Sequence, residues 1–273
     1  MKFTAPFGYH PMQHGAAFDA KQYNVRQAGL TTSPVLNIDW FKMTEPTFPP
    51  HPHAGFSAIT YLFPDSPGGF INKDSQGYVG DILPGDMHWT MAASGIVHDE
   101  IPIENGVMVE GFQIFMNLPE EHQLLPAKAF RIKAEDMLIE KSSSGYLRFA
   151  IKGNENKGES LIPFNALIGE MVFTETGELS VEVPACHSGL LVALNGDFSV
   201  SDKNISEFNA IGFESAGTET LKVQANGGTK IAIVAGDIMT QPVFHYGPFI
   251  MSSKAKLIDR IEAYNRGEFG KIE

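Results

Sequence analysis

Pro50-His51-Pro52-His53-Ala54-Gly55-Phe56, running on into Ser57-Ala58-Ile59-Thr60-Tyr61-Leu62-Phe63, carries both a chemical and an architectural signal. Two histidines stand one residue apart, and the run after them is too rich in β-branched and aromatic residues to favour a helix. On an extended chain alternate side chains share a face, so His51 and His53 point the same way. Pro52 between them removes a backbone donor and fixes one torsion, which suits a strand edge or barrel mouth and stiffens the pair. Gly95-Ile96-Val97-His98-Asp99-Glu100 repeats the arrangement, with His98 and Glu100 on one face and Asp99 turned away. Two strands facing each other would bring these four side chains together. Three imidazoles and one carboxylate make a donor set of borderline hardness, suited to iron, manganese, nickel, copper or zinc better than to calcium or magnesium.

Outward from these motifs the chain keeps the same rhythm. Met108–Met116 and Leu190–Leu194 read as further buried strands, and glycine and proline recur between short apolar runs. Pro84-Gly85-Asp86 predicts a turn between two strand-like runs, and Gly227-Gly228 predicts a hairpin turn. The exception is Lys254 to Arg266, where Leu257, Ile258, Ile261 and Tyr264 fall on one helical face and Gly267 supplies a stop. The fold class is therefore all-β with a short C-terminal helix. Each half holds its own series of strands, and loop-rich polar segments near residues 130 to 140 predict a boundary between lobes at 1–132 and 133–273.

Composition narrows the function classes. The 273 residues are 43% hydrophobic and 19% charged, as a globular enzyme or binding protein requires. Acidic residues outnumber basic ones, 32 against 20, and the net charge of −12 repels phosphate backbones, which argues against direct nucleic-acid binding. No apolar run reads as a secretory signal or a membrane span, so the sequence predicts a soluble, cytoplasmic protein. A single cysteine, Cys186, excludes an internal disulfide and reads as a small apolar filler.

His51-Pro52-His53-Ala54-Gly55-Phe56, Pro84-Gly85-Asp86, Gly95-Ile96-Val97-His98-Asp99-Glu100, Gly111-Phe112-Gln113, Asn117-Leu118-Pro119 and Gly247-Pro248-Phe249 occur in the order found in pirins. Over almost its whole length the sequence resembles that family. The resemblance implies a two-lobed cupin, a double-stranded β-helix barrel in each lobe, with one metal in the N-terminal lobe. It implies an iron site at the positions of His51, His53, His98 and Glu100. It also implies quercetin 2,3-dioxygenase-like activity in some members and nuclear co-regulator behaviour in animal ones. Three positions depart from the family pattern: Ala54 and Ser57 replace a common arginine and glutamate, and Asn72 stands where a histidine commonly precedes Asp74 by two residues.

The leading expectation is oxidation by dioxygen, at Fe(II), of a flavonol- or catechol-like aromatic. Glu100 serves both as ligand and as acceptor of the substrate's hydroxyl proton. The alternative is a non-catalytic, iron-dependent regulator that binds a protein partner. Phe56, Trp89, Met91, Phe112 and Phe115 are candidates for an apolar cavity wall, although alternation separates Phe112 from Phe115. His88 reads as a strand histidine that could support the site. His10, His14, His122, His187 and His245 show no paired spacing and read as solvated or core-edge groups.

Overall fold

The computed structural model describes residues 1–25, 29, 34–156 and 159–272. Strands take up 55% of the described residues, and the α-helix Lys254–Asn265 follows them. The residues fall into two compact units. One comprises Met1–His10, Tyr23–Leu36 and Glu135–Met239, and the other Pro11–Gln22, Asn37–Ala134 and Thr240–Glu273. Each is a cupin domain built from a seven-stranded and a four-stranded antiparallel sheet.

In the unit that carries the histidine motifs, the four-stranded sheet runs His51–His53, Ile96–Pro102, Phe70–Asp74, Val79–Ile82. The larger sheet runs Lys128–Ile132, Met87–Met91, Phe56–Leu62, Val109–Asn117, Val35–Met43, Phe18–Asn24, His10–His14. Alternation sends Thr60, Gln113, Phe41 and their like-facing neighbours inward from the larger sheet, where they meet the smaller one. The Phe41 and Phe70 rings stack at 5.7 Å, and the Thr60 hydroxyl donates to Glu100 across the gap. Ala20, Phe41, Met43, Leu62, Phe70, Ile82 and Val109 pack as an apolar core toward one end of this interior.

The Pro84–Asp86 turn appears as expected, with Gly85 at φ +86° between Val79–Ile82 and Met87–Met91. Gly55, at φ +86°, is where glycine is obligatory: a Cβ there would lie 1.9 Å from the Ile250 carbonyl oxygen. That close approach lets Phe249–Met251 lie against the segment that follows His53. Ala54 donates its N–H to the Pro248 carbonyl at 3.3 Å and accepts from the Ile250 N–H at 3.0 Å.

Chain order does not decide where the helix packs. The sequence placed it at the end of the second lobe, whereas Thr240–Glu273 groups with the unit that holds His51. Ser253 caps the helix by accepting from the Lys256 N–H, and Gly267 ends it at φ +80°. Ala263 and Phe269 are buried with Ala54, Val97, Phe249 and Met251, flanked by Leu257 and Ile261. Ile258 turns outward instead, and Tyr264 is also exposed, although its ring contacts those of Phe249 and Phe269.

In the other unit, Leu147, Phe149, Met171, Phe213 and Ile233 are among the side chains that close the barrel core. Gly227-Gly228 is not a hairpin. Glu219–Ala225 pairs with Gly177–Val183 and Phe198–Val200, whereas Lys230–Asp237 lies in the seven-stranded sheet, so the glycines turn a corner between sheets. Cys186 is no filler: it is exposed and adopts φ +57° in the tight turn before His187–Asn195.

Candidate metal centre

The antiparallel register sets Ile96 opposite His53 and His98 opposite His51. Because paired residues project from the same face of a sheet, this register brings His98 to the His51/His53 pair. The three rings lie 4.6 to 4.9 Å apart between centroids, and one nitrogen from each falls within 4.8 Å of the other two. His51 Nε2 and His98 Nε2 approach to 3.1 Å.

The tautomer of His51 follows from its surroundings. Its Nδ1 lies 3.1 Å from the Pro49 carbonyl, which can only accept, so Nδ1 carries the proton and Nε2 offers its lone pair toward His98. His53 Nδ1 and His98 Nδ1 are buried and meet no hydrogen-bond partner.

Burial holds all three imidazoles neutral. Desolvation pushes His53 down to about 3, with His51 adding to the effect, and takes His98 well below the ordinary histidine range. His51 is lowered for the same reason. Three neutral, desolvated imidazoles gathered with a nitrogen of each within 4.8 Å of the others are costly unless a cation receives them. Two nitrogens bound side by side at metal–ligand distances lie about 3 Å apart, which the 3.1 Å approach matches. The donor set therefore fits a divalent transition metal.

Glu100 stands two residues along the same face as His98, but it is not part of the three-nitrogen cluster. Its Oε1 accepts from the Thr60 hydroxyl at 2.6 Å. Burial pushes its carboxyl up to about 7, against the pull of the Thr60 hydrogen bond. Asp99 turns away and is half-buried, as the alternation required.

His51, His53 and Glu100 open on a cavity of about 310 Å³. Phe115 lines it, as does Gln113 from the same strand face. Phe56 lies behind, its ring 5.2 Å from His53. Trp89, Met91 and Phe112 do not reach it; Phe112 packs against Trp40 and Phe63 on the other side of the sheet. The rest of the wall is Met12, Phe18, Phe41, Met43, Phe48 and Phe70, together with Asp39 and with Gly247 and Pro248 of the last motif. Met12, Phe18, Asp39, Phe41, Met43 and Phe70 lie on strands outside the motifs, and only sheet pairing brings them in.

The three departures from the family pattern land in different places. Ala54 is buried under Phe249 and Ala263, and Ser57 lies on the sheet face opposite to Thr60, so neither touches the cavity. Asn72 is fully buried directly across from Glu100, and Asp74 across from His98. His88, opposite Thr60, is buried with neither ring nitrogen partnered, lies against Tyr78, and is pushed by desolvation down to about 4. His10, His14 and His245 are exposed. His187 is buried in the other unit, its Nδ1 3.4 Å from an Asp237 oxygen. Among the described residues, no second group of this kind accompanies the three histidines.

Fold and centre together define a two-domain cupin with, in one domain, a three-histidine cluster whose donor set fits a metal ion. The family model for pirin matches residues 9–116 and that for the pirin C-terminal cupin domain residues 170–270. The chain belongs to the pirin family. It is 27% identical over 252 residues to a Vibrio cholerae protein that carries a provisional quercetin 2,3-dioxygenase name, covering 87% of this chain and 86% of that one. The crystal structure of quercetin 2,3-dioxygenase from Acinetobacter baumannii matches with a TM-score of 0.84 at 27% identity, over 100% of this chain and 99% of that chain. The bacterial pirin YhhW from Escherichia coli, solved in complex with nickel(II), shares the fold at a TM-score of 0.68 and 12% identity, over 87% and 98% of the two chains. Among the described residues no helix is long and apolar enough to cross a membrane.

Proposed function

We propose that this protein is a metal-dependent oxidoreductase acting on an apolar aromatic with adjacent oxygen donors, of the flavonol or catechol kind. The observation that carries the reading is the placement of His51 and His53, with Glu100 beside them, in the floor of a largely apolar cavity. His51, His53 and His98 would hold one divalent ion, iron(II) by preference, and Glu100 would complete the set. When bound, that ion supplies a Lewis-acidic centre able to engage both a chelating substrate and dioxygen.

The chain's own groups supply the rest. The Pro49 carbonyl orients the His51 ring. Phe41, Phe70 and Phe115 exclude water and take the flat faces of an aromatic ligand. Glu100, with a carboxyl near neutrality and its Oε1 steadied by Thr60, accepts the proton of the substrate's hydroxyl at Oε2. A positive charge nearby favours its ionised form and so its readiness to act as base.

The relatives' names support the same direction. Protein loaded anaerobically with iron(II) and then offered oxygen with a panel of flavonols and catechols should consume oxygen with at least one of them. Absence of turnover across the panel, with a full equivalent of iron bound, would leave the non-catalytic regulator as the better account.

A further inference from the structure

On the strand Val35–Met43, alternation sends Asn37, Asp39, Phe41 and Met43 to one face, and Asp39, Phe41 and Met43 line the cavity. The adjoining strand Phe18–Asn24 contributes Phe18 to the same wall and Gln22 beside it. Asp39 is thus a carboxylate set among phenylalanines and methionines, on a wall other than the one that carries His51 and His53.

Its two oxygens are treated differently. Asn37 Nδ2 donates to Oδ1 at 2.8 Å, and Gln22 Nε2 donates to the same atom at 3.0 Å. Among the described residues no protein donor reaches Oδ2, and no lysine or arginine pairs with the carboxylate. Desolvation raises the Asp39 carboxyl, while the two amides pull it back toward the ionised form. A carboxylate kept only to tie strands together would use both oxygens. Here the amides fix the group's orientation through one oxygen and leave the other facing the cavity. Gln22 is itself steadied, its Nε2 lying 3.1 Å from Met12 Sδ on the next strand.

We infer that Asp39 is a specificity-determining acceptor, whose Oδ2 takes a hydrogen bond from a hydroxyl of the aromatic substrate remote from its chelating oxygens. The inference rests on the reading of the cavity as an aromatic-binding site. It narrows the substrate class to polyhydroxylated aromatics, as against those bearing the chelating pair alone. The ligand's donor is a neutral hydroxyl, because the cavity residues nearest Asp39 on its own wall, Phe18, Phe41 and Met43, are apolar and would leave the rest of an ammonium group desolvated.

The test uses 3-hydroxyflavone, which offers the chelating oxygens only, and its derivatives bearing one further hydroxyl on the remote ring. Dissociation constants are measured anaerobically by absorbance on iron(II)-loaded wild type and Asp39→Asn. A hydrogen bond to a charged group is worth about tenfold in affinity. At least one derivative should therefore bind wild type about tenfold more tightly than the parent. In Asp39→Asn, which turns a donor toward the cavity, that advantage, read as the ratio of the parent's dissociation constant to the derivative's, should vanish. Gln22→Met leaves the carboxylate in place but removes one of the groups that aim it, and should reduce the advantage as well; it decides the matter if Asp39→Asn does not fold. A preference that survives both substitutions, or that no derivative shows on wild type, overturns the inference alone. If neither the parent nor any derivative binds wild type, the aromatic-site reading fails first.

Discussion

Replacing Glu100 by glutamine should change how metal affinity depends on pH, and the size of the change follows from the structure. Glu100 is half-buried and desolvation pushes its carboxyl up to about 7, whereas His53 is pushed down to about 3 and His98 well below its ordinary value. Between pH 7 and pH 5 the group that must shed a proton to coordinate a cation is therefore Glu100. With a pKa near 7 its ionised fraction is about one half at pH 7 and about one hundredth at pH 5. Apparent affinity should then fall about fiftyfold, or about 2.3 kcal/mol. The sign is fixed: affinity is full above pH 8 and declines with acidification. Glu100→Gln keeps the shape and the Thr60 contact but has no proton to lose, so its affinity is lower throughout and flat over the same range, apart from any His51 contribution common to both proteins. Nickel(II) serves as an oxygen-insensitive probe, in competition with a chromophoric chelator corrected for its own protonation. Parallel pH profiles for wild type and Glu100→Gln would refute Glu100 as a ligand and leave a three-histidine site.

Other consequences can be read separately. His88 is neutral and desolvated, titrating at about 4 when folded against about 6.5 when unfolded. The unfolded chain therefore binds more protons between those values, and stability present above pH 6.5 is lost as pH falls toward 4. His88→Leu should remove about 2 kcal/mol of the stability lost between pH 7 and pH 5, measured by urea unfolding; an unchanged loss would contradict this assignment. Phe269 is buried against Gly95, where a Cβ would lie 2.2 Å from its ring, and Ser75 Oγ donates to its carbonyl at 2.5 Å. Phe269→Ala should cost about 3 kcal/mol or more and weaken metal binding, because Gly95 leads into the strand that carries His98. Unaltered thermal unfolding together with unaltered affinity would show that the C-terminal segment does not brace the centre.

The histidine pairs were legible because strand alternation is a short-range rule: His51/His53 and His98/Glu100 each declare a shared face within three residues. The strands and the helix were legible for the same reason, through local periodicity and through Gly85 and Gly267 at their turns. The cavity wall was not. Phe18, Phe41, Met43 and Asp39 reach the cavity through sheet pairing between segments distant in sequence, and nothing local to them announces it. The docking of the helix beneath Ala54 and Val97 was hidden likewise, since chain order does not say which sheet an apolar stripe will cover. Gly227-Gly228 misled because glycine turns serve a hairpin and a corner between sheets equally well. The departures at Ala54 and Ser57 looked important beside His53, yet alternation turns Ala54 outward and Ser57 to the far face of its sheet. Asn72, farther away in sequence, lies against Glu100.

The central claim is that His51, His53 and His98 together hold one metal ion. Metal content by plasma mass spectrometry, on protein loaded under identical conditions and checked for folding by circular dichroism, tests it most directly. Wild type, His245→Ala and His187→Gln should each retain about one equivalent, while His51→Ala, His53→Ala and His98→Ala should fold and lose most of it. Full retention by His51→Ala and His98→Ala, or loss of metal from His245→Ala, would contradict the account.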